Sequence, residues 1–228
     1  MWRVFDGIKK LWSKYDKTKE YSVSILVKLL DNIITRLIAF MGLIEESILV
    51  DQGLLLYFIG LQMEQASLTI AKFRALIVVK LDEPLEYELL EALLTSHESL
   101  NIYRYSYRSY LSIENVLNLI ILDKKYARSL TYQLARIQKD INQLPHNHSI
   151  DGLSECQAII SEANISIQSL NINTLMQLND DESLRQELED SLSKLSDLLH
   201  KTSLSISDTY FNHSYQQTQL VNQNFPSY

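Results

Sequence analysis

Three features of this 228-residue chain predict an all-α fold. It has only five glycines and three prolines, apolar residues recur every three or four positions over most of its length, and no stretch shows the period-two alternation of a strand. Average usage would place glycine and proline at roughly 12% of residues, so turns are few and elements are long. The 46% apolar content is that of an ordinary globular protein and excludes disorder throughout. The expected architecture is a single-domain bundle over residues 1–215, followed by a flexible tail at 216–228. It would hold about seven or eight helices, mostly antiparallel and joined by short connections.

The first helix runs from Met1 to about Tyr15, with Trp2, Phe5, Ile8, Leu11 and Trp12 at helical spacing and a charged connector to Glu20. A second spans Glu20 to Ile44; Val23, Leu26, Leu30, Ile33, Ile34, Leu37 and Met41 lie along one face. The third, Asp51 to Lys80, places Leu54, Phe58, Leu61, Leu68, Ala71, Ala75 and Val79 toward a core. Leu55, Ile59 and Gln62 suggest burial on a second side, which makes it the central helix. Asp82-Glu83-Pro84 closes that segment and opens the next, since proline fits a first turn and acids favour a helix N-terminus.

The fourth helix, Leu85 to Tyr110, carries Leu89, Leu93, Leu100, Tyr103, Tyr107 and Tyr110 on one stripe, and its tyrosines are expected in the core. Ser112 caps a short helix to Leu122, and Asp123 caps another from Tyr126 to Gln143. Pro145 to His148 is a turn, Asp151 to Leu170 a helix, and Asn171 to Asp181 a polar connector. The last helix, Glu182 to about Tyr215, carries Leu184, Leu188, Leu192, Leu195, Leu199, Leu204 and Ile206.

Charge and cysteine content narrow the function classes. The net charge is −7, with basic stretches at Met1–Arg36 and Tyr103–Lys139 and an acidic one at Asp151–Asp197. That balance argues against a nucleic-acid partner while leaving room for a local anion site. The single cysteine, Cys156, has no intramolecular partner, and no basic-then-apolar leader follows Met1, so a cytoplasmic location is expected. The sequons at Asn147, Asn164 and Asn212 then carry no meaning. Ile25–Ile44 is interrupted by charges and Leu54–Met63 is too short for a span of about 20 residues, so both read as buried helices and no membrane partner is expected.

No metal or cofactor is called for by any motif. Asp197-x-x-His200 is half of a di-iron helix motif, and His146-x-His148 lies in a turn without adjacent ligands. HExxH, P-loop, GxGxxG and GxSxG patterns are absent. Cys156 opens a helix, where a thiol's pKa can fall, but its polar neighbourhood reads as incidental. Arg104 and Arg108, four apart and beside His97 and Asn101, form a polar stripe able to grip a phosphate or carboxylate, or simply to face solvent. Glu64 stands among apolar residues, where it needs a partner such as Arg74 or Arg128, or else is a site carboxylate.

Asp123-Lys124-Lys125-Tyr126-Ala127-Arg128-Ser129, with Tyr132-Gln133-Leu134 and Leu144-Pro145, resembles the bacterial alpha-E family, a helical domain with a Glu-Arg motif and no known function. The family carries prolines at the positions of Lys124 and Ala127, and Asp123, Arg128 and Ser129 match it. Asp51-Gln52-Gly53 and Leu61 to Ser67 resemble its acidic-Gly and Leu-x-x-Glu-Arg-Ala-Asp patterns, with Gln65 and Ser67 in place of the arginine and aspartate. The resemblance covers Met1 to Pro145. It implies that the chain begins partway through the usual pattern, without a portion holding another Glu-Arg copy.

Family members accompany circularly permuted ATP-grasp and transglutaminase-like proteins. The resemblance thus implies a non-catalytic helical accessory or interaction protein of an ATP-dependent amide- or peptide-ligase system. The competing reading is an enzyme or enzyme half, with Asp51 and Glu64 as acid/base groups and Arg104, Arg108 and Arg128 holding an anionic substrate; it requires those side chains to converge. A self-associating homo-oligomer is a third. Asp123 and Arg128 complete the candidate polar set, Arg128 in the first turn of its helix as a partner for Glu64.

Overall fold

The structure, a computed structural model, describes residues 2–13, 21–47, 51–108, 110–145 and 152–211. Among these residues there are ten α-helices, one π-helical turn and no strand, so the all-α expectation holds with more helices than foreseen. The chain divides into two compact units, Met1–Leu54 and Leu55–Tyr228, and the division falls in the first turn of α3. The sequence-predicted turn at His146–His148 and the tail after Gln216 lie outside the described residues.

In the first unit α1 (Trp2–Ser13) packs on α2 (Val23–Ser47). Phe5 meets Phe40 edge-on with ring centroids 4.7 Å apart. Gly7 admits the Arg36 guanidinium, because a Cβ there would lie 2.3 Å from it. Along α2, Leu26, Leu29, Ile33, Phe40 and Met41 are half-buried and Ile44 is buried, whereas Val23, Leu30, Ile34, Leu37 and Ile38 are exposed. The face expected to be buried is therefore split. A helix apolar nearly all round offers three-or-four spacing in several directions, so periodicity does not select which one is covered.

The second unit contains most of α3 (Gln52–Leu76), then α4 (Glu83–Ser96), α5 (Leu100–Tyr107), α6 (Ile113–Leu117), α7 (Leu130–Ile141), α8 (Gly152–Gln168), α9 (Ile172–Met176) and α10 (Gln186–Tyr210). The core stripe of α3 is Leu55, Ile59, Met63, Ala66, Ile70 and Phe73, continued by Ile77 just beyond its end. The side read as secondary is thus the principal one, and Leu68, Ala71, Ala75 and Val79 are exposed instead. α3 is the one helix among the described residues long and apolar enough to cross a membrane, and its burial as a core helix accounts for the same composition. α8 packs between α7 and α10. Asn164 ties it across by donating to the carbonyls of Leu134 at 3.1 Å and Ile160 at 3.0 Å. Each fully buried leucine, isoleucine or phenylalanine in this core contributes about 1.5–3 kcal/mol.

The segment read as one helix from Leu85 to Tyr110 breaks at His97–Ser99, where Glu98 takes the left-handed region at φ 53°. Tyr103 is fully buried, its hydroxyl donating to the Tyr110 carbonyl and accepting from the Ser112 amide, both at 3.0 Å. Tyr107 is half-buried but Tyr110 is 90% exposed, so the tyrosines are not uniformly core. Ser112 caps α6 as expected, its hydroxyl accepting from Asn115 N at 3.3 Å.

A π-helical turn, Asn118–Leu122, follows α6, and Thr131 donates to its Ile121 carbonyl at 2.7 Å. Asp123 does not cap α7. Its carboxylate accepts from the amides of Lys125 at 2.6 Å and Tyr126 at 3.0 Å and closes a non-helical turn, while Ser129 caps α7 by accepting from Tyr132 N at 3.1 Å. Prolines at 124 and 127 would cost this turn none of those bonds, which fits the family pattern there. The connector Asn171–Asp181 likewise holds α9, capped by Asn171.

Arg185 joins three elements at the start of α10. It is 4% exposed, donates to the Ile77 carbonyl at 2.6 Å and pairs with Glu86 of α4, while its amide donates to Val78 O at 2.9 Å beside the lone Val79–Leu184 bridge. Removing a buried partner leaves a charge and a carbonyl uncompensated, at a cost of about 3–5 kcal/mol. Arg185→Met is therefore expected to lower the urea midpoint by an amount worth about 3 kcal/mol at unchanged m, and adding Glu86→Met should restore at least half of it.

Candidate functional site

α3 presents Gln65, Thr69 and Lys72 at spacings of four and three, one polar line on a largely apolar helix. The α4–α5 turn brings Ser96, His97 and Glu98 to the same place, the turn ahead of α7 brings Arg128, and α7 itself brings Gln133. Together they line an open cavity of about 260 Å³.

Its inner wall is a buried polar chain. Thr69 Oγ1 donates to Gln65 O at 2.9 Å, so it accepts from His97 Nε2 at 3.2 Å. In the neutral ring His97 Nδ1 then accepts from Ser99 Oγ at 2.6 Å, and Ser99 accepts from the Tyr126 hydroxyl at 2.7 Å. Every polar atom of the ring is spent. Burial, with Lys72 and then Arg128 adding to it against the opposing pull of Glu98, pushes His97 down to about 4. Ser99 is fully buried, so this serine–histidine contact is a packing device and not an exposed nucleophile with its base.

The cations are held by backbone carbonyls. Arg128 donates to His97 O at 3.0 Å and pairs with Glu98, while Lys72 donates to Ser96 O at 2.9 Å. The left-handed turn at Glu98 gathers these carbonyls and its own carboxylate on one side. Gln133, 1% exposed, donates from Nε2 to the Arg128 carbonyl at 3.4 Å, and its Oε1 has no partner among the described residues.

Within the second unit the sequence-predicted residues do not assemble into one site. Asp51, in the first unit, accepts from Leu54 N at 2.8 Å as the cap of α3. Glu64 is exposed rather than buried, and it lines a separate groove of about 440 Å³ with Ser67, Asp197, His200 and Ser203. Arg128 is engaged by His97 and Glu98 rather than Glu64, and it precedes α7 instead of lying in its first turn; Arg74 pairs with Glu189. Arg104 reaches Glu91 at 3.5 Å, and Arg108, exposed, ends α5 at φ 47°. Asp123 is spent in its turn. His97, read as part of a polar stripe that grips an anion or faces solvent, is buried at the break.

Sequence reasoning missed Lys72, Thr69, Glu98 and Gln133. The legible signal was the Gln65-Thr69-Lys72 line; the break after Ser96 had none, since no glycine or proline marks it. Among the described residues no three His, Cys, Asp or Glu side chains converge to hold a metal. Cys156 is buried and its thiol is pushed up to about 11 by burial and by Glu155, opposite to a helix-start activation.

An all-α domain with a small charged cavity is the class these features define. Residues 1–211 match the model of the Alpha-E family, described as a predicted alpha-helical domain with a conserved ER motif, and the chain belongs to that family. Uncharacterised proteins of Mycobacterium bovis and Mycobacterium tuberculosis are 28% identical to it over 172 residues, 72% of this chain. The chain spans about one-fifth of the length of these relatives, the aligned part being 19% of each. No solved structure matches it.

Because the folded state refuses a proton at His97 until about pH 4 while the unfolded chain takes one near 6.5, this residue withdraws stability as pH falls through that interval. The loss reaches up to about 3 kcal/mol and levels off below it. His97→Asn should flatten this component: urea denaturation at pH 7, 5.5 and 4 is expected to show the gap between wild type and variant shrinking toward acid.

Proposed function

We propose that the chain is a non-catalytic helical accessory module that docks on an ATP-grasp-type amide or peptide ligase in the cytoplasm. The observation that carries this reading is the outward face of α2. Val23, Ile34 and Ile38 are 76%, 52% and 66% exposed, with Leu30 and Leu37 between them, a run of apolar side chains of the kind that marks a protein contact. The ATP-grasp class of the partner, with a transglutaminase-like protein as a further one, rests on the family resemblance.

The second-unit residues of the enzyme reading stand apart from one another. In the second unit Glu64 faces the α3–α10 groove, Arg128 the cavity and Arg104 an outer pair with Glu91. The test is titration calorimetry of the purified chain against the circularly permuted ATP-grasp protein of its own host. A complex of micromolar or tighter Kd is expected, weakened at least about tenfold, or 1.4 kcal/mol, by Ile34→Asp with Ile38→Asp, whose outward positions leave the helical circular dichroism unchanged. No association at about 100 µM, an affinity indifferent to both substitutions, or a face that pairs only with a second copy of the chain would each overturn the proposal.

A further inference from the structure

We propose that the cavity between α3, the α4–α5 turn and α7 binds a small monocarboxylate that carries an adjacent N–H donor, its charge held by Lys72 and Arg128 and its donor received by Gln133. This goes beyond the docking role and does not depend on it.

Charge sets the first requirement. Lys72 and Arg128 face the cavity against the single carboxylate of Glu98, and His97 is neutral above about pH 4, so the lining carries one net positive charge. That balance suits a monoanion. A phosphate dianion would leave one charge unmatched and would be repelled by Glu98. Donors remain for the ligand: Ser96 O takes one of the three lysine protons, and His97 O and Glu98 engage part of the five-donor guanidinium fork.

The unpaired acceptor sets the second. Gln133 Oε1 is buried in the wall, and the Nε2 bond to Arg128 O fixes which way the amide faces, so a flip would only exchange one mismatch for another. A buried acceptor left without a donor costs about 1–3 kcal/mol, and because Oε1 has no surface open to the cavity, a ligand N–H relieves that cost as the Gln133 side chain turns toward it on binding. Size sets the third. At about 30 Å³ per water-sized volume, the 260 Å³ cavity holds an acylated amino acid but not a folded peptide segment. The cationic half of the site is built before the ligand arrives, because the carbonyls that aim Lys72 and Arg128 belong to the α4–α5 turn.

The experiment is a titration of the full chain, followed by nitrogen-15 amide shifts, with N-acetylglycine, propionate and inorganic phosphate. N-acetylglycine is expected to saturate the amides around Thr69, His97 and Gln133, with propionate about fivefold weaker for want of the N–H and phosphate weaker still. Lys72→Met should weaken N-acetylglycine about tenfold, and Gln65→Arg, which adds a cation to the lining, should tighten it. Gln133→Met should abolish the preference for N-acetylglycine over propionate; if that variant does not fold, Lys72→Met and Gln65→Arg decide alone. No saturation by about 20 mM N-acetylglycine, a preference for phosphate, or an affinity unmoved by Lys72→Met overturns the proposal.

Discussion

The second unit is organised around the buried imidazole of His97. Its two nitrogens reach Thr69 on α3 and Ser99 at the start of α5, Ser99 reaches Tyr126, and its own carbonyl receives Arg128 ahead of α7. Three helices that share no strand ladder are thus registered by one ring. Such a network is stable only when complete, since any member left unpaired in a low-dielectric interior forfeits its desolvation. The left-handed Glu98 is the backbone condition for it: without that reversal α4 would run straight into α5 and carry His97 past its partners.

Much of this was legible in the chain. The absence of strands, the α3 apolar core helix, Pro84 opening α4 and Ser112 capping α6 all follow from local chemistry, and the structure has them. What failed was the choice among directions on helices apolar on several sides: Leu68 and Ala71 were read as core where Met63 and Ala66 are. Glu64 was read as buried for the same reason, because an apolar neighbourhood in sequence is not one in space. The break at His97 was illegible because a non-glycine residue occupies the left-handed position, beside tertiary hydrogen bonds of His97 to Thr69 and Arg128 that no local pattern records. Gln133 looked like one more polar residue in a signature, and only the fold shows its oxygen unpaired.

The signature from Asp123 to Ser129 takes on a structural meaning. It is a turn stitched by Asp123 onto two amides and closed by Ser129, whose hydroxyl donates back to the Asp123 carbonyl while capping α7. Its conformation delivers Arg128 to the His97 carbonyl, so residues that look like a catalytic run act by positioning one guanidinium. Membership of the Alpha-E family is established over residues 1–211, and the turn shows how the family's prolines are compatible with that geometry.

Glu64 and Gln65 stand next to each other on α3, yet the first borders the groove toward α10 and the second the cavity toward α7. Successive residues of an α-helix project about 100° apart, so a dipeptide on a helix buried between others is a partition wall with a different room on each side. The two rooms share no lining residue. Exchanging the side chain at 65 retunes the charge of one and leaves the acidic rim of the other as it was, so a two-residue motif on this helix amounts to two independent settings that can drift, or be engineered, one at a time.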